Sequence, residues 1–287
     1  MKNMIEVKSL VKRYGDNEVL KDISFEVQQG EIFALLGTNG AGKTTTLECI
    51  EGIRKYQSGE IKVSGKTGVQ LQSSSLPSHM KACEALRLFA KWSGTAVDEA
   101  FVRRLGYDEI KNKAYKDMST GQKRRLHLAL AMTGNPDIVF LDEPTAGLDV
   151  EGRAALHDEI RALKAQGKTV ILASHDMAEV ESLCDRIAIL KDGVIAFIGT
   201  AGELTQQMTD TFKVLVRLSA PVSLSGLKHC VFTGAFQGYE TFETVSLEDG
   251  LAELLAAAKA GGAHVRDLKL EHASLEQRFL DIAKEGK

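Results

Sequence analysis

A glycine-rich stretch that could bind phosphate follows directly after the apolar run IFALL. Residues 37–46 read GTNGAGKTTT, and the spacing of Gly37, Gly42, Lys43 and Thr44 fits the pattern G-x-x-x-x-G-K-[ST]. In such a loop, backbone N–H groups surround phosphate oxygens, the lysine meets their charge and the hydroxyl holds Mg²⁺. The stretch therefore predicts a nucleotide phosphate site between a buried strand and a helix whose positive N-terminal end faces the anion.

A second apolar run, Ile138–Leu141, leads into the acidic pair Asp142 and Glu143. An acidic pair after a strand often only caps the next helix. Together with a phosphate loop it resembles the Walker B arrangement, in which one carboxylate helps to hold Mg²⁺ and its neighbour polarises a water molecule. We assign Asp142 to the metal ion and Glu143 to the water. The two motifs together predict a site that hydrolyses a nucleoside triphosphate.

The composition is that of an ordinary globular protein. The 287 residues are 44% hydrophobic and 26% charged, with a net charge of −3, so no global basic field favours nucleic acid. The four cysteines form no C-x-x-C pair, which predicts a reducing compartment and argues against a disulfide framework or a zinc site. Neither a signal peptide nor an apolar run long enough to span a membrane is visible, so we expect any membrane role to pass through a partner.

Strands and helices alternate along most of the chain, which predicts a mainly parallel sheet covered on both faces. The pattern breaks near residues 205–211, and we therefore expect a first domain over 1–210 and a small α/β domain over 211–287. The predicted strands are 4–12, 19–27, 32–36, two within 60–72, 138–141, 169–173, 187–190, 194–197, 212–218, 240–246 and 264–270. The predicted helical segments are the one after the glycine loop, 78–132, 152–165, 176–184, 248–260 and a last helix that starts from a capping box at Ser274 and Gln277.

The segment DMSTGQKRR (117–125) resembles the signature L-S-G-G-Q-x-x-R of ATP-binding-cassette (ABC) ATPases. Four further motifs occur in the order typical of that family: KRYG with Tyr14, GVQLQS with Gln72, AGLD with Asp149 and LASHD with His175. The resemblance covers roughly residues 4–220. It implies a P-loop NTPase cassette with a mainly parallel core sheet, an antiparallel β subdomain and a helical subdomain at about 78–132, followed by the small C-terminal α/β extension.

The resemblance also assigns roles to residues. Tyr14 is expected to stack on adenine, while Glu143, His175 and Gln72 are expected to be catalytic. Thr44, Gln72 and Asp142 are expected to hold Mg²⁺. The residues expected around the ATP phosphates are Gly37, Thr38, Asn39, Gly40, Ala41, Gly42, Lys43, Thr44 and Thr45. The signature residues expected to meet ATP bound to another subunit are Ser119, Thr120, Gly121 and Gln122, with Asp149 in the D-loop.

In this family, two cassettes pack head to tail around two ATP molecules and drive a membrane permease. The chain carries one set of motifs, so we expect a homodimer or a pair with a sister ATPase subunit. The permease would hold it at the cytoplasmic face of the membrane, its cytoplasmic helix docking near Gln72. The segment 270–282 (LEHASLEQRFLDI) resembles the C-terminal portion of cassettes that serve export permeases of drug-resistance, lipid or polysaccharide type. Export is therefore expected.

Two other functions stay open at this point. Cassette ATPases that act on nucleic acid or ribosomes usually have two cassettes in one chain, coiled-coil insertions or basic surfaces, and none of these is visible here. A nucleotide-responsive regulator with little hydrolysis would not need Asp142, Glu143 and His175 together. No nucleic-acid partner is therefore expected, and the transported molecule cannot be read from this chain.

Overall fold

In the computed structural model, the chain divides into two compact units, residues 1–200 and 201–287. The structure describes residues 2–70, 76–206, 212–220 and 226–271. Gln72 and the predicted helix that begins at Ser274 lie outside these ranges. The sequence predicted the domain boundary after residue 210, and that boundary stays a prediction.

The first unit contains two sheets and most of the helices. Its strands are β1 (Asn3–Tyr14), β2 (Asn17–Gln28), β3 (Ile32–Leu36), β4 (Ser58–Val63), β5 (Thr67–Gln70), β6 (Ile138–Asp142), β7 (Thr169–Ser174), β8 (Arg186–Lys191) and β9 (Val194–Gly199). Its helices are α1 (Lys43–Ile50), α2 (Ala82–Ser93), α3 (Glu99–Arg104), α4 (Tyr107–Ile110), α5 (Thr120–Ala131), α6 (Val150–Ala165) and α7 (Met177–Leu183), with a 3₁₀ turn at Tyr115–Asp117.

Six strands of the described residues form the central sheet, in the order β5-β6-β7-β3-β8-β9. All neighbours in it are parallel except β8 and β9, which form an antiparallel hairpin. Every residue of β3, β6 and β7 is buried, as expected for strands covered on both faces. The predicted mainly parallel α/β architecture is confirmed.

The second sheet of this unit is antiparallel, with the order β2-β1-β4. It shares one hydrophobic core with the central sheet and α1, and the rings of Phe25 and Phe33 stack in that core with centroids 5.3 Å apart. This packing brings Tyr14, the last residue of β1, close to the loop that leads into α1. The predicted antiparallel β subdomain is therefore present.

The topology of the central sheet places the candidate residues together. The parallel strands β3, β6 and β7 are neighbours, with β7 in the middle, so their carboxyl ends meet at one edge. The glycine loop follows β3, the acidic pair ends β6, and His175 follows β7. Loops at the carboxyl ends of parallel strands are where α/β proteins bind ligands.

The predicted helical segment 78–132 consists of several short helices, of which α2 and α5 are the longest. Helix α5 lies close to β5 because Gly68 has no side chain: a Cβ there would come within 2.0 Å of the Ala131 carbonyl oxygen. No helix in the described part of the chain is long and apolar enough to cross a membrane.

The second unit is a small antiparallel sheet with one long helix. Its elements are α8 (Ala201–Gln206), β10 (Phe212–Leu218), β11 (Val231–Phe236), β12 (Tyr239–Thr244), α9 (Leu247–Ala260) and β13 (Val265–Glu271), and the strand order is β11-β12-β10-β13. Val214, Val216 and Phe242 pack with Leu254 of α9 in its core. Two of these elements, α8 and β11, were absent from the sequence prediction.

The central strands should dominate the stability of the first unit, and a matched pair of valines tests this. Val170 in β7 is 0% exposed and Val194 in the edge strand β9 is 42% exposed. We expect Val170→Ala to lower the free energy of unfolding by roughly 2 kcal/mol, since it removes buried methyl groups and leaves a cavity. Val194→Ala should change it by less than about 0.5 kcal/mol.

Urea unfolding followed by circular dichroism measures the effect of each substitution. Equal effects of the two substitutions would contradict the prediction.

Candidate functional site

The glycine loop joins β3 to α1, so the N-terminus of α1 lies at the edge of the sheet. Gly42 is the residue before the helix and has φ 108°, a conformation that side chains other than hydrogen rarely allow. A Cβ at Gly42 would also lie 2.6 Å from a methyl group of Leu20. In the described structure no side chain caps the N-terminus of α1. Its first N–H groups and the positive end of its dipole are therefore available to an anion.

Lys43 lies inside the loop rather than in solvent. Its side chain is 6% exposed, and its Nζ donates hydrogen bonds to the carbonyl oxygens of Gly37 (2.7 Å) and Thr38 (3.4 Å). Burial lowers the pKa of Lys43, and the charges of Glu143 and Asp142 partly oppose that shift. The positive charge is thus fixed beside the start of α1, where it can meet a phosphate group.

Thr44 and Asp142 form the second contact across the site. The Thr44 hydroxyl donates to Oδ2 of Asp142 at 2.9 Å, while Oδ1 of Asp142 is buried and has no hydrogen-bond partner among the described residues. Burial raises the pKa of Asp142, and the hydrogen bond from Thr44 opposes the rise. A buried carboxylate oxygen with no partner, next to a hydroxyl, is a suitable pair of ligands for a hard cation such as Mg²⁺.

Glu143 lies between a cation and an imidazole. Its carboxylate is 3.9 Å from Lys43 Nζ and 2.8 and 2.9 Å from Nδ1 of His175. The residue is 7% exposed, and its φ of 48° is unusual for any residue other than glycine. Such backbone strain is concentrated at functional sites, where the surrounding structure enforces it.

Lys43, Thr44 and Glu143 line one cavity of about 560 Å³, called the phosphate cavity below, whereas Asp142 and His175 contact Thr44 and Glu143 without lining it. The cavity is lined by Tyr14, Asn17, Val19, Thr38, Asn39, Gly40, Gly42, Lys43, Thr44, Thr45 and Glu143. Most of the predicted phosphate-binding residues therefore lie together, whereas Gly37 and Ala41 support the loop without lining the cavity. Sequence reasoning missed Asn17 and Val19, although their position at the start of β2, three and five residues after Tyr14, was a usable signal.

Tyr14 lies at the open side of this cavity, with 41% of its surface exposed. Lys12 Nζ is 4.7 Å from the centre of its ring, and the Arg54 guanidinium carbon is 5.4 Å from it. Both distances are typical of cation–π contacts, which restrict the ring. An exposed aromatic ring next to a phosphate cavity can stack on a nucleotide base.

A second cavity of about 560 Å³ contains the signature residues Ser119, Thr120 and Gly121 together with Asp149. Ser119 caps α5: its hydroxyl accepts from the Gln122 N–H at 3.3 Å, and the Gln122 side chain accepts from the Ser119 N–H at 3.1 Å. Gln122 thus supports the start of the helix rather than lining the cavity. Among the described residues the two cavities share no lining residue.

Glu51 is an acidic residue near the site that sequence reasoning did not find. It is the residue that follows the last residue of α1. Thr44, Glu48 and Glu51 are spaced i, i+4 and i+7, so they lie on one face of this helix. Its Oε2 is buried without a partner among the described residues. Burial, and then the nearby charges of Asp142 and Glu48, raise the pKa of Glu51 to about 7.

Comparisons with known proteins agree on one family. The family model described as "ABC transporter" matches residues 20–146. An uncharacterised ABC transporter ATP-binding protein of Methanocaldococcus jannaschii is 39% identical over 72% of this chain and 82% of its own length. The linearmycin resistance ATP-binding protein of Bacillus subtilis is 31% identical over 97% of this chain and 98% of its own. The Nod factor export ATP-binding protein I of Burkholderia thailandensis is 39% identical over 66% of this chain and 68% of its own.

Solved structures give the same result for the fold. An ATP-binding subunit of an ABC transporter superposes with a TM-score of 0.66 at 28% identity, covering 71% of this chain and 92% of that one. A bacterial ABC transporter cassette solved as a dimer superposes with a TM-score of 0.64 at 25% identity, covering 69% of this chain and 98% of that one.

The raised pKa of Glu51 predicts that this carboxylate makes stability depend on pH. In the unfolded chain a glutamate ionises near its ordinary pKa of about 4.3, whereas in the folded chain Glu51 ionises near 7. Below the unfolded pKa, Glu51 is neutral in both states and the folded protein keeps its full stability. As the pH rises from there to about 7, the unfolded chain ionises more readily than the folded one, so the free energy of unfolding falls. Glu51→Gln should therefore raise the midpoint of thermal unfolding at pH 8 and have little effect at pH 4.

The matched control is Glu60→Gln, since the Glu60 side chain is 56% exposed. It should leave the midpoint nearly unchanged at both pH values. A Glu51→Gln variant that is equally stable relative to wild type at pH 4 and pH 8 would show that Glu51 titrates normally.

Proposed function

The chain belongs to the ABC transporter family as an ATP-binding subunit, and from this premise we propose that it hydrolyses ATP to drive export through a separate membrane permease. The observation that carries the proposal is the cavity in which Lys43, Thr44 and Glu143 meet at the start of α1. The permease would hold the chain at the cytoplasmic face of the membrane.

ATP fits the chemistry of this cavity. The triphosphate would lie along the N–H groups of the glycine loop and the start of α1, with Lys43 against its negative charge. Tyr14 would stack on the adenine at the open side. The phosphate contacts would then involve Thr38, Asn39, Gly40, Gly42, Thr44 and Thr45, which line the cavity, with Gly37 and Ala41 shaping the loop.

We propose Mg²⁺ as the metal ion, held by Thr44 and Asp142. The buried and unpartnered Oδ1 of Asp142 supports this choice, since two protein ligands suffice where phosphates and water supply the rest. When bound, Mg²⁺ supplies positive charge to the phosphate oxygens. Gln72, the third proposed ligand, lies outside the described residues. Among the described residues no group of three His, Cys, Asp or Glu side chains could hold a metal ion.

Hydrolysis requires a base that orients the attacking water molecule and hydrogen-bond donors that stabilise the charge on the phosphate oxygens. Glu143 is the proposed base that orients and deprotonates the water molecule, and His175 can donate a hydrogen bond to the γ-phosphate. The contacts between His175 and Glu143, and between Glu143 and Lys43, place these three charged or polar groups around one point. The reacting water and phosphate would be held there in a fixed electrostatic environment.

A second cassette would complete each site. The signature cavity, with Ser119, Thr120, Gly121 and Asp149, is separate from the phosphate cavity of the same chain. The capped N-terminus of α5 offers N–H groups to a γ-phosphate bound elsewhere. We therefore propose a head-to-tail homodimer, or pairing with a sister subunit, in which each signature cavity closes over the partner's ATP. The dimeric structure of a related bacterial cassette supports this arrangement.

Export, rather than import, is supported by the names of two relatives. One is an export ATP-binding protein for Nod factor, and another confers linearmycin resistance and aligns over 97% of this chain, including most of the second unit. The names of these relatives refer to an ABC transporter, to export or to drug resistance, so the alternative of a ribosome- or nucleic-acid-dependent ATPase is not favoured. The molecule exported by this system is not specified by the cassette.

Glu143→Gln tests the hydrolytic part of the proposal. Gln keeps the shape of the side chain but cannot accept the proton, so turnover should fall by at least about a hundredfold. ATP binding should persist, because the substitution also removes a negative charge 3.9 Å from Lys43. The measurements are phosphate release and ATP binding by calorimetry. Glu181→Gln, an exposed carboxylate in α7, is the control and should hydrolyse ATP normally. Full turnover by Glu143→Gln would contradict the assignment of Glu143 as the base.

Capture of the partner tests the transport part. We expect tagged Glu143→Gln, incubated with ATP and detergent-solubilised membranes, to retain a polytopic membrane protein in roughly equal amount, because blocked hydrolysis stabilises the ATP-bound assembly. Mass spectrometry identifies what is retained, and Lys43→Ala, which should not bind ATP, is the control. Ribosomal protein or nucleic acid, with no membrane protein, would contradict export and favour the alternative.

A further inference from the structure

His175 is positioned by its backbone more than by the packing of its ring. Its side chain is 60% exposed, and the contact that holds it is the one to the Glu143 carboxylate. An exposed side chain retains rotamer freedom, so its place depends on the loop that carries it. The residues on both sides of His175 therefore control how the imidazole meets Glu143.

Those neighbours are joined in a closed set of hydrogen bonds. The backbone N–H of Asp176 donates to the Ser174 hydroxyl at 3.0 Å, and that hydroxyl donates to Oε2 of Glu179 at 2.6 Å. The Glu179 N–H in turn donates to Oδ1 of Asp176 at 3.2 Å, which caps α7. Ser174 and Glu179 are buried, so this set forms a rigid base for His175.

Helix α6 holds the same loop from outside. Nη1 of Arg153 donates to Oδ2 of Asp176 at 2.7 Å. One turn further along α6, Nε2 of His157 lies 3.5 Å from Oε1 of Glu179, and both of these side chains are buried. Arg153 and His157 are spaced i, i+4, so they project from one face of α6 toward α7.

We propose that Arg153 is a positioning residue for hydrolysis: through Asp176 it holds His175 against Glu143. Arg153 does not line the phosphate cavity, so its effect must pass through the loop. The inference rests on the proposed function, since His175 is useful there only beside a γ-phosphate. The Arg153–Asp176 pair is partly exposed, with 43% and 27% of the side chains accessible, so it contributes little to overall stability.

Helix α6 also begins at the signature cavity. Asp149 caps it by accepting from the Gly152 N–H at 2.8 Å, and both residues line that cavity. The helix therefore connects the surface where a partner's ATP is proposed to bind with the loop that carries His175. Arg153 lies one turn after Asp149, so closure at the start of α6 can adjust the position of His175 through Arg153.

The test compares Arg153→Met and Asp176→Asn in the full-length chain. Met removes the charge and keeps an unbranched side chain, while Asn keeps the cap of α7 and removes the ion pair. Because a displacement of about 1 Å can cost as much as a hundredfold, we expect each variant to lower kcat about tenfold or more. The affinity for ATP should stay within about twofold, since no binding residue is changed.

The double variant shows whether the two residues act as one unit. If Arg153 acts through Asp176, the double variant should be no slower than the slower single variant. Arg153→Lys keeps a cation and should recover part of the rate. Two losses that multiply, or a raised Kd for ATP with an unchanged kcat, would overturn the proposal.

Arg161→Met is the matched control in the same helix. Arg161 donates to Oδ1 of Asp158 at 3.0 Å and to the Ser182 carbonyl oxygen at 3.3 Å, so it also joins α6 to the α7 region but not to the loop of His175. Its kcat should stay within about twofold of wild type, as for a contact outside the site. An equal loss of kcat in this variant would show a general effect of loosening α6, and would overturn the specific role of Arg153.

The imidazole itself gives a readout independent of rate. In histidine-labelled protein, the ring signal of His175, assigned with His175→Gln, should shift in Arg153→Met and stay in place in Arg161→Met. An unmoved signal in Arg153→Met would contradict the proposal. Wild-type protein and Glu143→Gln are measured alongside: a wild type that does not hydrolyse ATP contradicts the proposed function, whereas normal hydrolysis by Arg153→Met contradicts this inference alone.

Discussion

The site depends on three ionisable side chains that are buried together at one edge of the central sheet. Lys43, Asp142 and Glu143 are 6%, 5% and 7% exposed. Charges are expensive to bury unless they compensate one another, so these groups must be held at short range by a rigid frame. That frame is the order of the parallel strands, in which β7 lies between β3 and β6 and brings the residues that follow them together. The buried core of Phe33, Phe140 and their neighbours supports the functional loops directly.

The same frame explains why the site tolerates unfavourable features. Glu143 has a positive φ, and Oδ1 of Asp142 is buried with no partner among the described residues. Each feature costs stability in isolation. Both are in the acidic pair that ends β6, and both are suited to a bound metal ion and an oriented water molecule. The fold thus offsets the cost of a pre-arranged site with the burial of β3, β6 and β7.

The buried strands and the motifs were predictable from sequence because their signals are local. The apolar run 32–36 matches β3 residue for residue, and the glycine loop and acidic pair mark the ends of β3 and β6. The weaker elements gave no such signal: α8 has six residues, and β11 is an edge strand that contains a glycine and is largely exposed. Glu51 and the Arg153–Asp176 pair were missed for another reason. Their roles come from burial and from contacts between helices, which residue spacing does not encode.

The separation of the two cavities has a further consequence for how the molecule can work. The phosphate cavity is lined by Glu143, which contacts His175, while the signature cavity contains no lysine or glutamate of the phosphate site. In the proposed dimer, one chain would therefore offer two incomplete halves, because a water-excluding site requires a second surface. Helix α6 lies between the halves, with Asp149 at its start and Arg153 one turn later. In a head-to-tail pair, each ATP would then contact both chains. The chain that binds it would supply Glu143 and His175, and the partner would supply its signature surface. In the partner, α6 leads from that surface to the loop that carries the partner's own copy of the histidine.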